Sequence, residues 1–329
     1  MFGCAQVTSL NLKKHQFGKI PTKIVWIQVA GLTTEHLALL KFSYPSRNQL
    51  TSFENSLCIG SSWEYDLYNL RPTAYEGFLS QLSGKKNIQN SCKDFDKRPI
   101  WNFLAKQNYK AGIFEGEIRR SQSLLKSKKC KDQKDYLDNT TFWSMNKNKS
   151  AKNFFHVSDK GSYKKNTIYY DRSCNGKECF STFSSNVEKT FKGFTKNSKN
   201  YIYIVRNFKF AKLIAKNKFR AAKEELNQLN ETLNFFQKKS EKNNDMLVLL
   251  TTSSSREIEF PKAGKQWERF EKRGRFIKSK NTKLISSVFA SGARAENFCG
   301  IYDQSQILAR IFSGAKQQGL EFSIINPFE

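Results

Sequence analysis

Histidine is nearly absent from this chain: only His15, His36 and His156 occur in 329 residues. A metal centre built mainly on imidazoles has almost nothing to draw on. Acidic residues are scarce too, 29 Asp+Glu against 56 Lys+Arg, for a formal net charge of +27. A field of that size attracts polyanions, so nucleic acid, anionic lipid head groups, acidic glycans and acidic proteins all qualify as partners. The lysines are spread along the chain instead of forming one arm, and many of them read as solvated surface. No run approaches the roughly 18 apolar residues that a membrane-spanning helix needs. The motifs GxxxxGKS/T, GxGxxG after a strand, and HExxH are missing, which removes three well-marked classes of nucleotide and zinc chemistry.

Cysteine is too dilute for a small disulfide scaffold, with seven residues at 4, 58, 92, 130, 174, 179 and 299. Cys174 and Cys179 bracket a short loop that a disulfide could close, and no second pair lies near enough for a zinc knuckle. Met1-Phe2-Gly3-Cys4-Ala5 looks like the tail of a lipoprotein cleavage site without the apolar segment that should precede it. With Met1 as the native start, the expectation is a cytoplasmic protein. With a trimmed start, Cys4 becomes a lipidated N-terminus that attaches the chain to a membrane, and six cysteines remain to pair.

What is present is a folding chain. Hydrophobic residues make up 38% and include 28 Phe, enough for a buried core in one large α/β domain with an insertion, or in two ordinary domains. Residues 23–30 are a β-rich apolar run closed by Gly31, the signature of a strand buried on both faces. Residues 72–84 read as a turn, a short helix and a glycine stop, 99–108 as a helix opened by proline, and 109–114 as a strand. Residues 201–205, 246–250 and 284–290 read as further strands, 209–238 as one long helix and 304–315 as another. This rhythm implies a mostly parallel sheet with helices on its faces. The chain divides into an N-terminal extension (1–22), a first part of the α/β core (23–116), a basic insertion or cap rich in Lys, Asn and Ser (117–200), and a second part of the core (201–329). One basic stretch is interleaved with aromatics: Lys262, Lys265, Trp267, Arg269, Lys272, Arg273, Arg275, Lys278 and Lys280. Such interleaving suits phosphate contacts and base stacking, and equally a surface loop beside a site.

Several segments, in order, resemble the alkaline-phosphatase/sulfatase superfamily. SSVFASGARAENFCGIYDQSQILARIF near the C-terminus is similar to the superfamily's VPVFAYGPGA…FxGxYDNTDIxxxI segment. MLVLLTTSSS stands where the superfamily has LVIVTSDHG, IVWIQVAGL is similar to vvlivvDGl, and PTAYEGFLSQLSG is similar to the nucleophile helix PTxxSxxxLLTG. IWNFLAKQNYKAGIF is similar to ilexakeaGyktGlv. The resemblance leaves residues 117–200 outside it. It implies an α/β, alkaline-phosphatase-like sandwich with a central mostly parallel sheet and an inserted basic cap.

In that superfamily a strand-end Asp, an Asp-x-x-x-His pair, an Asp-His pair and a late His hold metals, because carboxylates and imidazoles bind such cations well. A Ser, Thr or modified Cys at a helix N-terminus attacks phosphorus or sulfur. Carried onto this sequence, the first Asp falls on Ala30 and the nucleophile on Ala74. The Asp-x-x-x-His pair falls on Asn207 and Ala211, the Asp-His pair on Ser253 and Ser254, and the late His on Asn281. A one-residue slip puts Thr73 at the nucleophile position. The resemblance therefore implies a pseudoenzyme with no metal and no cofactor. It would be a non-catalytic binding or structural protein that holds an anionic or acidic partner, in the periplasm or cell envelope. A divergent ester hydrolase using Thr73 and a basic nucleic-acid-binding subunit are the two alternatives.

Overall fold

The apolar run of residues 23–30 becomes β1 (Lys23–Ala30), and it lies mid-sheet because it has no face to offer to water. Ile24, Trp26 and Ala30 point into one hydrophobic layer, and Val25, Ile27 and Val29 into the other. The computed structural model describes residues 20–42, 50–65, 69–148, 150–159, 161–175, 179–262, 264–274 and 277–312. β7 (Tyr201–Asn207) and β8 (Met246–Ser253) flank β1, both parallel to it. β3 (Lys110–Glu115) pairs parallel with β7. On the other side, β11 (Ile285–Gly292) runs antiparallel between β8 and β2 (Cys58–Trp63), and β12 (Gly300–Asp303) closes that edge.

Residues 117–200, expected as an insertion packed on the sheet, extend that sheet beyond β3. They supply β4 (Thr140–Ser144), β6 (Thr167–Asp171) and β5 (Phe154–Phe155), all parallel. The aromatic pairs of this polar tract are the strands themselves, with Phe142, Trp143 and Phe155 buried. The finished sheet has 10 strands in the order β12-β2-β11-β8-β1-β7-β3-β4-β6-β5, and β11 alone runs against the rest. β9 (Arg256–Glu259) and β10 (Lys278–Thr282) form a separate antiparallel ribbon.

Parallel strands need crossovers, and these bring helices to both faces. α2 (Ala74–Ser83), α3 (Ile100–Lys106) and α8 (Ile307–Phe312) cover one face; α4 (Phe183–Thr195), α5 (Lys209–Ala215) and α6 (Phe219–Ser240) cover the other. α1 (Leu37–Lys41) and α7 (Gly264–Arg273) add Leu39, Leu40 and Phe270 to the second layer. α6 buries Phe219, Leu226, Leu229, Leu233 and Phe236 along one stripe, at about 1.5–3 kcal/mol for each large apolar side chain removed from water. The helix expected over 209–238 is two helices. Asn217 adopts φ 54° between them, and Lys218 N–H turns back to Leu213 O at 2.9 Å. Asparagine tolerates this left-handed conformation and ends a helix much as glycine does. Of the helix expected over 304–315, residues 307–312 are α8 and 313–315 lie outside the described residues.

Six cysteines pair: Cys58 with Cys299, Cys92 with Cys130, and Cys174 with Cys179. The last pair was expected; the other two join segments too far apart in sequence for spacing to show. Cys4 lies outside the described residues. Among those described, no helix is long and apolar enough to cross a membrane.

Candidate functional site

In an open parallel sheet the carboxyl ends of the strands converge on one edge, and ligands bind there. Here β1 ends at Ala30, β7 at Asn207 and β8 at Ser253, and the N-terminus of α2 arrives beside them. Gly31 follows β1 with φ 80°, and a Cβ on it would overlap Ala211 of α5, 2.8 Å from its Cβ and 2.9 Å from its Cα. Glycine is therefore what lets α5 close on the end of β1. Gly77 plays the same part on α2, where a Cβ would overlap Ser253 Oγ.

Between these elements lies a cleft of about 510 Å³, lined in part by Ala30, Thr73, Ala74, Ala211 and Ser254. Five of the positions carried over from the sequence resemblance thus meet in one place. Ser253 does not open onto it; the residue is fully buried under α2. Ser254 stands in the left-handed region, φ 51°. Asn207 faces away. Its Nδ2 donates to Glu225 on α6 at 2.6 Å, and its Oδ1 accepts from Lys209 N–H and Phe210 N–H at the start of α5. The period of two along β7 explains this: Arg206 and Phe208 share the face of Ala30, and Asn207 does not. Phe208 and Lys212, with the same spacing as Asn207 and Ala211, both line the cleft. Asn281 lies on β10, and its side chain is outside the described residues.

Thr73 caps α2. Its Oγ1 accepts from Glu76 N–H at 3.4 Å, and its own N–H donates to Glu76 Oε2 at 2.6 Å. The capping box places no base against the threonine hydroxyl. The next N–H groups, of Ala74 and Tyr75, find no acceptor among the described residues, and such groups at a helix start favour an anion.

The walls carry Arg119, Lys147, Lys212 and Arg256. None of the four pairs with a carboxylate among the described residues. The described lining holds one carboxylate, Glu117, which lies 3.1 Å from Lys209, and no imidazole. Alanine side chains offer no ligand atom, so these residues do not fit the metal set that the resemblance implies. The group of metal-ligating types found among the described residues, Asp171, Cys174 and Cys179, has both sulfurs in a disulfide. That disulfide forms part of the cleft wall.

Directly beneath the floor runs a buried polar chain. Trp26 Nε1 donates to Thr251 Oγ1, Thr251 Oγ1 donates to Gln81 Oε1, and Gln28 Nε2 donates to Gln81 Oε1. Arg206 Nε donates to Gln28 Oε1 at 3.2 Å, and its Nη1 meets Glu115 Oε1 at 2.5 Å. Glu115 also accepts from Ser123 Oγ and Leu124 N–H. Both members of the ion pair are wholly buried. A second buried acid, Glu64, lies beyond Ser253 and Ser254. Burial pushes its carboxyl up to about 7, against the pull of bonds from Ser286 Oγ and the N–H groups of Ser254 and Ser255.

The basic stretch of residues 262–280 does not reach this cleft among its described residues. Phe270 is in the core, and Trp267 packs on Phe42, Phe260 and Phe270. Phe270 is thus unavailable for stacking on bases, and Trp267 is half-buried. Lys262, Lys265, Arg269, Lys272, Arg273 and Lys278 are exposed; Arg275 and the side chain of Lys280 lie outside the described residues. The cleft cations, by contrast, come from sequence positions far apart, and no motif announces them.

No protein-family model matches the sequence, and no curated protein matches it. Solved structures do. The chain is similar to the alkaline phosphatase from the Antarctic bacterium TAB5, with TM-score 0.63 and 14% identity over 91% of this chain and 99% of that one. It is similar to Thermus thermophilus alkaline phosphatase, with TM-score 0.67 and 9% identity over 95% of each chain. It also matches the lipoteichoic acid synthase LtaP from Listeria monocytogenes, with TM-score 0.51 and 12% identity over 92% of this chain and 75% of that one. The architecture built up above, from its parallel sheet to the helix start at the cleft, is the alkaline-phosphatase fold.

Proposed function

We propose that this chain is a non-catalytic binding protein that uses an alkaline-phosphatase-like cleft to hold an anionic group. One observation carries the reading. Where the resemblance implies metal ligands and a nucleophile, the floor presents the methyl groups of Ala30, Ala74 and Ala211, while four unpaired cations line the walls. Phosphate or sulfate would be met by Arg119, Lys147, Lys212 and Arg256, and by the free N–H groups at the start of α2. Ester hydrolysis needs an activated nucleophile and charge stabilisation on the leaving oxygen. Thr73 has no ligand set beside it among the described residues, and the Glu76 carboxylate next to it is engaged by the Thr73 N–H and by Asn69 Nδ2. Three disulfides support residence in an oxidising compartment, in keeping with the cell envelope.

Calorimetric titration with inorganic phosphate and sulfate tests this. Binding at one site is expected, weakening steeply as salt rises from about 50 to about 500 mM, because the Debye length is only about 8 Å at physiological ionic strength. No turnover of aryl phosphate or aryl sulfate is expected, with or without added zinc. Turnover by the wild type that disappears in Thr73→Ala would make Thr73 a working nucleophile and overturn the reading.

A further inference from the structure

A second cleft, of about 640 Å³, adjoins the first. Asn146 and Lys147 line both, and the neighbours Arg119 and Arg120 divide between them, one to each. The second cleft adds Arg120, Lys126 and Lys129, and its described lining holds no carboxylate. Each volume falls within the range of about 300–1,000 Å³ that holds one small ligand, so the two together exceed what a single phosphate or sulfate needs. The wall is fixed to the core: Ser123, part of its lining, donates to the buried Glu115, and Lys126 Nζ is held by Asn90 O at 2.7 Å.

We infer that the two clefts form one cationic trough that receives a linear polyanion, whose phosphate or sulfate groups are borne on a sugar or polyol backbone. The inference rests on the anion-binding reading of the first cleft and adds the class of molecule. Repetition of cations along a trough suits repeated anions on a flexible chain, since linked contacts raise the effective concentration of each next one. The lining decides against bases. Stacking platforms are what nonspecific single-strand binders use, and the described lining of the second cleft has one aromatic, Tyr170. Hydroxyls and amides dominate instead, with Ser121, Ser150 and Asn148 among them, and these hydrogen-bond to sugar or polyol hydroxyls.

The full chain is titrated with dextran sulfate oligosaccharides of graded length, with phosphorylated dextran as a parallel arm. Inorganic sulfate, uncharged dextran and single-stranded DNA of matched charge serve as references. Affinity is expected to rise at least tenfold once the oligosaccharide reaches across both clefts. The double variant Arg120→Glu/Lys129→Glu should abolish that gain while leaving inorganic sulfate binding and the thermal midpoint unchanged; both side chains are exposed, so folding is not at stake. A gain that survives the double variant, or no gain with length, overturns the inference. Equal binding of uncharged dextran, or tighter binding of the DNA, also overturns it. The first cleft is judged separately, by Lys212→Glu/Arg256→Glu on inorganic sulfate alone, so either reading can fail without the other.

Discussion

Beside the strand ends, the first cleft is lined in part by Ala30, Ala74 and Ala211, side chains without a polar atom. Further back along β1 and β7, Gln28 and Arg206 join Glu115, Gln81 and Thr251 in a continuous buried network. The two levels follow opposite rules. Polar side chains persist where they tie β8, α2, β1, β7 and β3 to one another, whereas at Ala30, Ala74 and Ala211 the cleft presents only methyl groups and leaves ligand contacts to its walls. Charge divides the same way, since Arg206 is fully buried and paired whereas the arginines of the cleft walls have no carboxylate partner. An interior charge must have its partner, because the cost of leaving it alone is large. A charge at a solvent-open wall bears no such penalty, and it stays available to a ligand.

The largest effect should come from breaking the lower level. Arg206→Ala or Glu115→Ala alone strands a buried charge, and a loss of about 3–5 kcal/mol is expected in urea unfolding. Replacing both partners together, as Glu115→Leu/Arg206→Met, should recover much of that loss. Single variants within about 1 kcal/mol of wild type would show that the lower level does not hold the sheet together.

Next in size is a pH effect at Glu64. Burial raises its folded pKa to about 7 from the ordinary 4.5. Across that window the native state keeps a proton that the unfolded chain has released. Stability should therefore fall as pH rises from about 4.5 to about 7, by on the order of 3 kcal/mol at most, and level off above. Glu64→Gln should flatten the profile; an unchanged slope in that variant would assign the titration elsewhere.

Opening the wall comes third. The Cys174–Cys179 disulfide closes a separation of 5 residues, so Cys174→Ser/Cys179→Ser should cost about 2 kcal/mol on the chain-entropy model. Thermal melts in non-reducing buffer check it, and a variant as stable as wild type would detach this disulfide from the fold. The smallest effect in energy belongs to the upper level. Lys212→Glu/Arg256→Glu should weaken phosphate binding at least tenfold, about 1.4 kcal/mol, with the urea midpoint unchanged. Undiminished affinity would mean that these cations serve the surface and not a ligand.

How much of this was readable in advance depended on the range of the forces involved. β1, β7 and β8 were legible because a strand buried on both faces carries an unbroken apolar run, such as residues 24–27, 201–205 and 246–250, a local property. The strands within 117–200 were not, since pairs such as Phe142-Trp143 are too short to show a period. Ala30, Thr73, Ala74, Ala211 and Ser254 met as their order along the chain implied. Asn207 did not, and strict alternation from Gln28 through Arg206 explains why: a one-residue offset on a strand turns a side chain to the opposite face. The cations of the cleft came from four separate segments, so only the folded chain assembles them. Glu64 gave no signal either, because a raised pKa is created by what surrounds the carboxyl.

Cys58 on β2 is bonded to Cys299, next to β12, across a separation of 241 residues. That single covalent link encloses most of the chain in one loop, including the described lining of both clefts apart from Ala30. A protease that cuts any exposed segment between the two cysteines therefore makes a nick and releases nothing. The two pieces would migrate as one band until reductant is added, so the first cut leaves the chain in one covalent piece.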